Sequence, residues 1–425
     1  MKKIGVALLG LGTVGGGTYR ILKNNHDSIL KNDGIDIEIR HIIERDTSKA
    51  VALGADLSIV STDINDVVND KDTQIVAEFF GGIEPAKTFL TKCLLAGKSI
   101  VTANKEMFSK SWVELEAAAK KGHAGLYFEA SCVGGVPIIR TLTESMQGNV
   151  IQSMMGIVNG TTNFILSKMA DENKEYADVL KEAQALGYAE ANPSADVDGF
   201  DSMYKLSILS SLAFRKKVPI SKIHREGISG IDKADIEFGK SLGFTLKLLA
   251  IAKNRDGKVE ARVHPAFIPS AHPLASVKGS FNAVHIVGDN VGDIMLYGRG
   301  AGDLPTGSAI VSDIVFAARQ SKPKYAPFKN VDKVSDKDFT DNYLCRYYLR
   351  MTVADQAGVM AKITSAFGKH NISIASMQQV PSSGKDATLI FLLHQTYEKD
   401  LNRALAALEA LDCVDAVNAV IRVEE

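Results

Sequence analysis

Four acidic residues lie close in sequence to one lysine between positions 190 and 205. In order, these residues are Glu190, Asp196, Asp198, Asp201 and Lys205. Asp201 and Lys205 are four residues apart on a predicted helix, so their side chains share one face. A carboxylate beside an amine can bind an ammonium group or move a proton to an oxygen on which charge develops. An exposed ion pair worth roughly 0.2–0.5 kcal/mol is the simpler alternative, and the spacing by itself favours it.

A glycine motif near the N-terminus predicts a dinucleotide site. Gly10, Gly12, Thr13, Val14 and Gly15 follow a predicted strand directly and open a helix. The first glycine permits a tight turn, the second lets backbone approach a pyrophosphate, and the third lets helix and strand pack closely. We expect these residues to bind NAD or NADP with the pyrophosphate at the helix N-terminus, although a purely structural glycine turn is the alternative.

The end of the next predicted strand bears on which dinucleotide binds. The segment Glu44-Arg45-Asp46 lies later than the spacing of about 20 residues at which an acid usually binds the ribose of NAD. Arg45 could instead bind a 2′-phosphate, which favours NADP, or it could be an ordinary solvated arginine. NAD and NADP therefore both stay open.

Two further segments place polar groups where a ligand would bind. Thr102-Ala103-Asn104-Lys105 follows a predicted strand, and open α/β sheets bind ligands at the carboxyl ends of their strands. The glycine-rich residues 298–307 lead into a predicted helix. The alternatives are an incidental surface lysine and a flexible turn.

The hydrophobic pattern predicts the elements that hold these groups. Apolar runs alternate with helical stretches and lie at residues 4–9, 37–43, 75–80, 99–102 and 126–129. Continuously apolar strands are buried on both faces, and strand–helix repetition implies parallel pairing. We therefore expect residues 1–130 to form an α/β domain with a Rossmann-type doubly wound sheet.

Two more domains are predicted after residue 130. Residues 131–318 contain predicted amphipathic helices at 178–187 and 201–214 among apolar stretches, which indicates an α+β domain. The charged, proline-containing residues 319–342 predict a solvated linker. Residues 343–425 follow the order βαββαβ, which is the split-βαβ arrangement of ferredoxin-like domains.

Composition excludes several classes of protein. Among the 425 residues, 49 Lys and Arg oppose 50 Asp and Glu, so the net charge of −1 gives no basic field for a nucleic acid or an anionic membrane. No charge-free apolar run approaches the about 18 residues of a membrane span. Cys93, Cys132, Cys345 and Cys413 form no CxxC pair and no cluster with histidine. We therefore expect no disulfide scaffold and no zinc site, and a location in a reducing cytoplasm.

Seven segments, taken in order, resemble the homoserine dehydrogenase family over roughly residues 3–318. They are GLGTVG, EFFGGIEPA, TANK, EASCVGGVP, GIVNGTTNFIL, GYAEANPSADVDGFDSMYKL and GRGAGDLPTG. The resemblance implies a reversible, NAD(P)H-dependent reduction of L-aspartate 4-semialdehyde to L-homoserine, on the branch toward threonine and methionine. The alternatives are another NAD(P)-dependent dehydrogenase of amino-acid metabolism and a nucleotide-binding regulatory sensor.

The resemblance also implies roles for particular residues. Lys205 matches the proton-transferring lysine of the family, Asp201 matches its partner acid, and Lys105 matches the lysine between cofactor and substrate. The candidate substrate-binding residues are Glu190, Asp196 and Asp201, and the candidate cofactor-binding residues outside the glycine motif are Arg45, Lys105, Gly187, Glu190 and Gly302. Asn192 replaces a commonly acidic residue, which leaves its part in substrate binding open.

Members of the family bind a monovalent cation near a hinge, and the resemblance carries this site to residues 129–136. The implied ligands are Glu129 and the main-chain carbonyl oxygens of Cys132, Gly134 and Val136, which suit a hard cation such as sodium or potassium. Cys132 stands where the family usually has a β-branched residue, but a carbonyl ligand survives that change.

The C-terminal segment resembles an ACT domain, a regulatory module of amino-acid metabolism. The residues that carry the resemblance are Asp355, Gly358 and Val359 at the first strand–helix turn, and Asn371 and Ile372 at the second strand. Gly358 can let backbone N–H groups approach a carboxylate. The resemblance implies an amino-acid effector, expected to be threonine, and a homodimer or homotetramer. A plain oligomerisation domain without a ligand is the alternative.

Overall fold

A computed structural model of the chain describes residues 2–325, 334–381 and 384–425. The strands are β1 (Lys2–Leu9), β2 (Ile35–Ile43), β3 (Val60–Ser61), β4 (Thr73–Glu78), β5 (Ser99–Thr102), β6 (Leu126–Tyr127), β7 (Ile151–Ile157), β8 (His224–Arg225), β9 (Phe244–Arg255), β10 (Lys258–Pro269), β11 (Phe281–Gly288), β12 (Gly292–Arg299), β13 (Leu344–Ala354), β14 (Ile374–Pro381), β15 (Asp386–Tyr397) and β16 (Val414–Val423). The helices are α1 (Thr13–Asn24), α2 (His26–Asp33), α3 (Thr47–Ala52), α4 (Ile64–Asn69), α5 (Ala86–Leu95), α6 (Lys105–Gly122), α7 (Ile138–Arg140), α8 (Gly160–Glu172), α9 (Tyr176–Ala185), α10 (Ser194–Val197), α11 (Phe200–Ala213), α12 (Lys233–Ser241), α13 (Asp303–Arg319), α14 (Val359–Lys369) and α15 (Glu398–Glu409). Across these described ranges, no helix combines the length and the apolar character that a membrane crossing needs.

The first sheet has the order β3-β2-β1-β4-β5-β6, and every pair in it is parallel. The predicted doubly wound fold is therefore confirmed. The strand expected at residues 126–129 ends at Tyr127, because Glu129–Ser131 form a 3-10 turn. Strand β3, only two residues long, carries too little pattern to be predicted.

Helix α13 completes the first domain from far along the chain. Its buried Ile310 and Ile314 belong to the same hydrophobic core as β1. A Cβ atom on Gly17 of α1 would lie 2.2 Å from the Asp303 carbonyl oxygen, so the glycine is what lets the two helices approach. The chain thus leaves the first domain after β6 and returns to it at the start of α13.

The second sheet joins the middle and C-terminal parts of the chain. Its order is β12-β11-β7-β9-β10-β16-β13-β15-β14, and β8 also pairs with β10. The order βαββαβ predicted for the last domain is confirmed. Strand β16, however, runs parallel to β10 through the pairs Ala266–Arg422 and Phe267–Val423, so the last domain extends the sheet of the second one.

Buried ion pairs reinforce this junction between β10 and β16. Arg422 of β16 donates to Glu226 at 2.9 Å, and its guanidinium also pairs with Glu398 of α15. Arg262 of β10 lies 2.6 Å from Glu424, and both side chains are buried. The two domains are therefore joined by charge as well as by backbone pairing.

Helix α11 was expected to be amphipathic over residues 201–214, and this expectation is wrong. The helix packs against α6 on one side and against β9 and β10 on the other, and nearly all of its residues are buried. Serine hydroxyls at positions 207, 210 and 211 donate to nearby carbonyl oxygens, which satisfies them inside the core. The helix therefore carries Asp201 and Lys205 into the interior.

The predicted linker at residues 319–342 is described only at its two ends, because residues 326–333 lie outside the described residues. Helix α13 continues to Arg319, one residue into the predicted linker. At the other end, Asp338 in the short 3-10 turn Asp336–Asp338 pairs with Lys216 at 2.7 Å.

Candidate active site

A cavity of about 550 Å³ opens between the first and second domains. Thr13 and Val14 of the glycine turn line one side of it, and Lys105 lines the carboxyl edge of the first sheet. Asp201 and Lys205 line the opposite side, on α11. Segments that are far apart in the sequence therefore meet in one cavity.

The Asp201–Lys205 pair lies inside this cavity and is buried. Lys205 Nζ donates to Asp201 Oδ2 at 2.7 Å and to the Val158 carbonyl oxygen at 2.7 Å. Both side chains are nearly inaccessible to solvent, so the alternative of an exposed surface ion pair is wrong. An ammonium group has three N–H donors, so one donor of Lys205 is left for a group in the cavity.

Lys105 pairs with the other oxygen of the same carboxylate. It is the first residue of α6, and its Nζ lies 3.1 Å from Asp201 Oδ1. Burial would raise the pKa of Asp201, but Lys205 and Lys105 together hold it well below the usual range. The Asp201 charge in turn raises the pKa of Lys105. One carboxylate thus pairs with both lysines, one on each oxygen.

Asn159 is also part of this cluster, a role that was not predicted from the sequence. Its Nδ2 group donates to Asp196 Oδ1 at 2.7 Å and to Asp201 Oδ2 at 2.9 Å. Burial and the neighbouring Asp201 raise the pKa of Asp196. The signal available in the sequence was Asn159-Gly160 after an apolar strand, since Asn159 caps α8 by accepting the Thr162 N–H.

The glycine turn has the shape that a pyrophosphate needs. Gly10 has a positive φ of 100°, and a Cβ atom on Gly15 would lie 2.2 Å from the Gly10 carbonyl oxygen. A Cβ atom on Gly12, in contrast, would meet nothing within 4 Å, so this glycine leaves open space in front of the N-terminus of α1. The residues present therefore fit a dinucleotide.

Glu44 supports the turn, and the exposed Arg45 lies beside it. Glu44 Oε2 accepts the Leu11 N–H at 2.8 Å, and its Oε1 accepts the backbone N–H groups of Arg45 and Asp46. The side chain of Arg45 is exposed at the end of β2. The carboxylate at this strand end is thus engaged with the protein backbone.

The remaining candidates divide into residues that line the cavity and residues that do not. Gly187 and Gly302 line it. Glu190 is exposed and lies outside the lining, although its neighbour Tyr188 belongs to it. Asn192 is also exposed, and its side-chain oxygen accepts the Ser194 N–H at 3.2 Å. The structure therefore gathers Asp196, Asp201 and Lys205 but not Glu190.

Arg299 and Ser280 also line the cavity without having been assigned a role from the sequence. Arg299 ends β12, and its guanidinium lies 5.4 Å from the ring centre of Phe281. The sequence showed only a glycine-rich stretch at 298–307, and nothing in that stretch indicates which way the arginine points.

The segment at residues 129–136 packs against the 299–302 loop. A Cβ atom on Gly134 would lie 2.4 Å from the Gly300 carbonyl oxygen, and both Val133 and Gly134 have positive φ values, of 55° and 46°. Among the hydrogen bonds of the described residues, the carbonyl oxygens of Cys132 and Gly134 accept none. The carbonyl oxygen of Val136 accepts the Ile138 N–H at 2.8 Å.

Glu129 is buried and caps the start of α7. Its two carboxylate oxygens accept the N–H groups of Ile139 at 2.7 Å and Arg140 at 2.8 Å. Burial, with nearby Asp313, raises the pKa of Glu129 to about 7. The described part of the chain holds no group of three or more His, Cys, Asp or Glu side chains suited to a metal ion. A cation here would depend mainly on main-chain oxygens.

The candidate effector residues lie at one end of the last domain. Gly358, the residue just before α14, has a φ of 91°, and Asn371 has a φ of 56°. Asp355 is exposed, and its Oδ1 accepts Gln379 Nε2 at 3.1 Å. The side chains of Val359 and Ile372 are buried in the core of this domain, so only their backbone could contact a ligand.

Comparison with known proteins agrees with this architecture. Family models described as the homoserine dehydrogenase NAD binding domain, homoserine dehydrogenase and the ACT domain match residues 10–129, 137–315 and 347–413. The chain is 40% identical to the homoserine dehydrogenase of Bacillus subtilis, over 100% of this chain and 99% of that protein. It is 42% identical to that of Corynebacterium glutamicum, over 99% of this chain and 96% of that protein.

Solved structures agree as well. The crystal structure of a homoserine dehydrogenase from Thiobacillus denitrificans has a TM-score of 0.94 at 41% identity, covering 100% of this chain and 99% of that one. A hyperthermophilic archaeal homoserine dehydrogenase in complex with NADPH has a TM-score of 0.65 at 28% identity, covering 76% of this chain and 100% of that one.

Proposed function

Because the chain belongs to the homoserine dehydrogenase family and is therefore an NAD(P)-dependent oxidoreductase, we propose that Lys205, held in place by Asp201, transfers the proton in its reaction. The reaction is the reversible reduction of L-aspartate 4-semialdehyde to L-homoserine. The observation that carries the proposal is the buried cluster in which Asp201 holds Lys205 on one oxygen and Lys105 on the other. Relatives of this name match the whole chain, so the alternatives of a different dehydrogenase or a regulatory sensor are set aside.

In the reducing direction, Lys205 donates its third N–H proton to the aldehyde oxygen. Bound NAD(P)H supplies the hydride for the aldehyde carbon. Negative charge develops on the oxygen at that moment, and the fixed charge of Lys105 stabilises it at no cost of reorganisation. In the oxidising direction, Lys205 must be neutral to accept the hydroxyl proton, so homoserine oxidation should accelerate as the pH rises.

The amino-acid end of the substrate is held by the acidic side of the cavity. Asp196, fixed by Asn159, offers a carboxylate to the substrate ammonium group. The carboxylate of Glu190 is exposed to solvent in this structure. Its proposed role in binding the substrate requires the segment that begins at Gly187 to turn toward the cavity.

NADP is the proposed preference over NAD. Both oxygens of Glu44 accept backbone N–H groups, so this carboxylate has fewer lone pairs left to accept ribose hydroxyls. Arg45 is exposed next to it and has the charge and shape to bind a 2′-phosphate. The NADPH complex of the archaeal relative supports the same choice.

A sodium or potassium ion is the proposed occupant of the segment at residues 129–136. The unpaired carbonyl oxygens of Cys132 and Gly134 fit a hard cation, and Glu129 and the Val136 carbonyl would complete the ligands. The ion would fix the hinge segment against the 299–302 loop, and the cavity lies directly beside that contact.

Regulation, assembly and location are proposed from the ACT domain and the cysteines. Threonine is the proposed effector, bound at the exposed turn that contains Asp355 and Gly358, and Asn371 lies at the neighbouring turn. A homodimer or homotetramer is the proposed assembly. A cytoplasmic location is supported by the four cysteines, all of which are buried and free.

One assay tests the central proposal. Purified protein is mixed with aspartate semialdehyde and either NADPH or NADH, with and without threonine, and the absorbance of the reduced nicotinamide is followed. We expect oxidation of NADPH that depends on the semialdehyde and is slowed by threonine. No semialdehyde-dependent oxidation with either cofactor would contradict the proposed function.

A further inference from the structure

Glu78 is a buried carboxylate that the mechanism does not use. It is the last residue of β4, between β1 and β5, and its side chain has no exposed surface. Its Oε1 accepts the Phe80 N–H at 2.6 Å, and its Oε2 accepts the Thr102 hydroxyl at 2.5 Å. In the described part of the chain, no lysine, arginine or histidine forms an ion pair with it.

An ionised carboxylate in this buried position costs folding free energy. Burial raises the pKa of Glu78 to about 7, even though the Thr102 hydroxyl and the Phe80 N–H favour the ionised form. An apolar side chain of similar size would avoid this penalty. Glu78 therefore supplies two hydrogen-bond acceptors in a fixed geometry, which an apolar side chain could not do.

The hydrogen bonds continue from Glu78 to the start of α6. Thr102 Oγ1, besides donating to Glu78, accepts the Asn104 N–H at 3.0 Å. Asn104 Nδ2 then donates to the carbonyl oxygens of Phe80 at 3.0 Å and Gly82 at 2.7 Å. Glu78, Thr102 and Asn104 thus form a closed network that ties the loop after β4 to the loop after β5.

Both loops face the ligand-binding edge of the sheet. Ala103 and Lys105, on either side of Asn104, line the cavity. On the other loop, the Phe80 ring would lie 3.4 Å from a Cβ atom on Gly10, so this loop packs directly against the glycine turn. A shift in the network would therefore move Lys105 and a wall of the dinucleotide site together.

We propose that Glu78 is a positioning residue that fixes the loop at residues 80–82 and the backbone before Lys105 for cofactor binding and proton transfer. The part that concerns Lys105 rests on the proposed function, whereas the part that concerns the cofactor does not. Glu78 touches neither the reacting atoms nor Lys105 itself, and it acts through Thr102 and Asn104.

The first test compares Glu78→Ala and Glu78→Gln with the full-length wild type. NADPH binding is measured by fluorescence titration, and KM and kcat are measured with aspartate semialdehyde. Glu78→Ala should weaken NADPH binding about tenfold and lower kcat. Glu78→Gln can still accept the Phe80 N–H and contact Thr102, so it should stay within about threefold of wild type in binding.

Glu116→Ala is the matched control. Glu116 is a buried glutamate on α6 that accepts Trp112 Nε1 at 3.1 Å, well beyond the helix start that carries Lys105. This variant should lower the melting temperature without weakening NADPH binding, which separates general destabilisation from positioning. If Glu78→Ala behaves like Glu116→Ala, or if Glu78→Gln is as defective as Glu78→Ala, the proposal is wrong.

A double-mutant cycle tests the network itself and covers the case in which Glu78→Ala does not fold. Thr102→Val keeps the side-chain volume and removes the hydroxyl that joins Glu78 to Asn104, so it should weaken NADPH binding in the same way. Combined with Glu78→Ala, its effect should be less than additive, and strict additivity would overturn the network. Where Glu78→Ala does not fold, Thr102→Val alone decides, and NADPH binding unchanged by that variant would overturn the network. Because binding needs no turnover, a wild type inactive on the semialdehyde would contradict the proposed function while the binding data still decide the role of Glu78.

Discussion

The burial of Glu78 makes a quantitative prediction about how stability depends on pH. In the folded protein the pKa of Glu78 is raised to about 7 from the ordinary value of 4.5. Below about pH 4.5 the group is protonated in both the folded and the unfolded chain, so it contributes nothing. As the pH rises from about 4.5 toward 7, this glutamate ionises in the unfolded chain before it ionises in the folded one. The free energy of unfolding therefore falls over this pH range.

The size of the effect follows from the two pKa values. A difference of about 2.5 units, at 1.36 kcal/mol per unit, amounts to about 3 kcal/mol between pH 4.5 and a pH above 7. Glu78→Gln removes the titrating group and keeps an acceptor for the Phe80 N–H. The stability of this variant relative to wild type should therefore improve by up to about 3 kcal/mol as the pH rises.

Melting temperatures of the two proteins at about pH 5 and about pH 8 provide the assay. The melting temperature of Glu78→Gln minus that of wild type should be higher at the upper pH by several degrees. Leu90→Ala, a buried change in α5 that involves no titratable group, is the control whose difference from wild type should be the same at both pH values. An equal difference for Glu78→Gln at both pH values would refute the reasoning, since Glu78 would then ionise as readily inside the protein as in the unfolded chain.

Four further predictions concern the reaction, the cofactor, the domain junction and the effector site. Lys205→Met should lower kcat by about 10²- to 10⁴-fold through loss of the proton donor, and a loss smaller than about tenfold in the semialdehyde assay would contradict the assignment. Arg45→Ala should raise the KM for NADPH about tenfold and leave that for NADH unchanged, which steady-state kinetics with both cofactors can show. Arg422→Ala should destabilise the protein by about 3 kcal/mol in thermal or urea unfolding, because it leaves Glu398 without its buried cation. Gly358→Val should abolish inhibition by threonine while kcat is retained, since a β-branched residue is strained at a φ of 91°, and unchanged inhibition would remove the effector from this turn.

The first domain could be predicted because its signals are local. Strands β1, β4 and β5 each contain a continuous apolar run, and the glycine motif follows the first strand immediately, so neighbouring residues determine these elements and the cofactor turn. The positions of Thr13, Val14 and Lys105 in the cavity follow from the same rule, since the carboxyl ends of parallel strands lie at one edge.

What could not be predicted depends on contacts between distant parts of the chain. A carboxylate and a lysine four residues apart look the same whether their helix is exposed or buried, and only packing against α6, β9 and β10 shows that Asp201 and Lys205 are interior. The pairing of β10 with β16 could not be predicted either, because it joins Ala266 to Arg422, which lie far apart in the sequence. Glu78, one acidic residue at a strand end, gives no sign of being buried without a cation.

The helix N-termini explain why so many charges can share one cavity. Helices α1, α6, α8 and α13 begin at its wall, since Thr13, Lys105, Gly160 and Gly302 line the cavity. Each helix start carries partial positive charge, which favours the pyrophosphate, the substrate carboxylate and the oxygen that gains charge during reduction. Two lysines added to such a field would repel one another. The ionised Asp201, shared between Lys105 and Lys205, offsets that repulsion, so removing its charge should impair proton transfer even though Asp201 donates no proton itself.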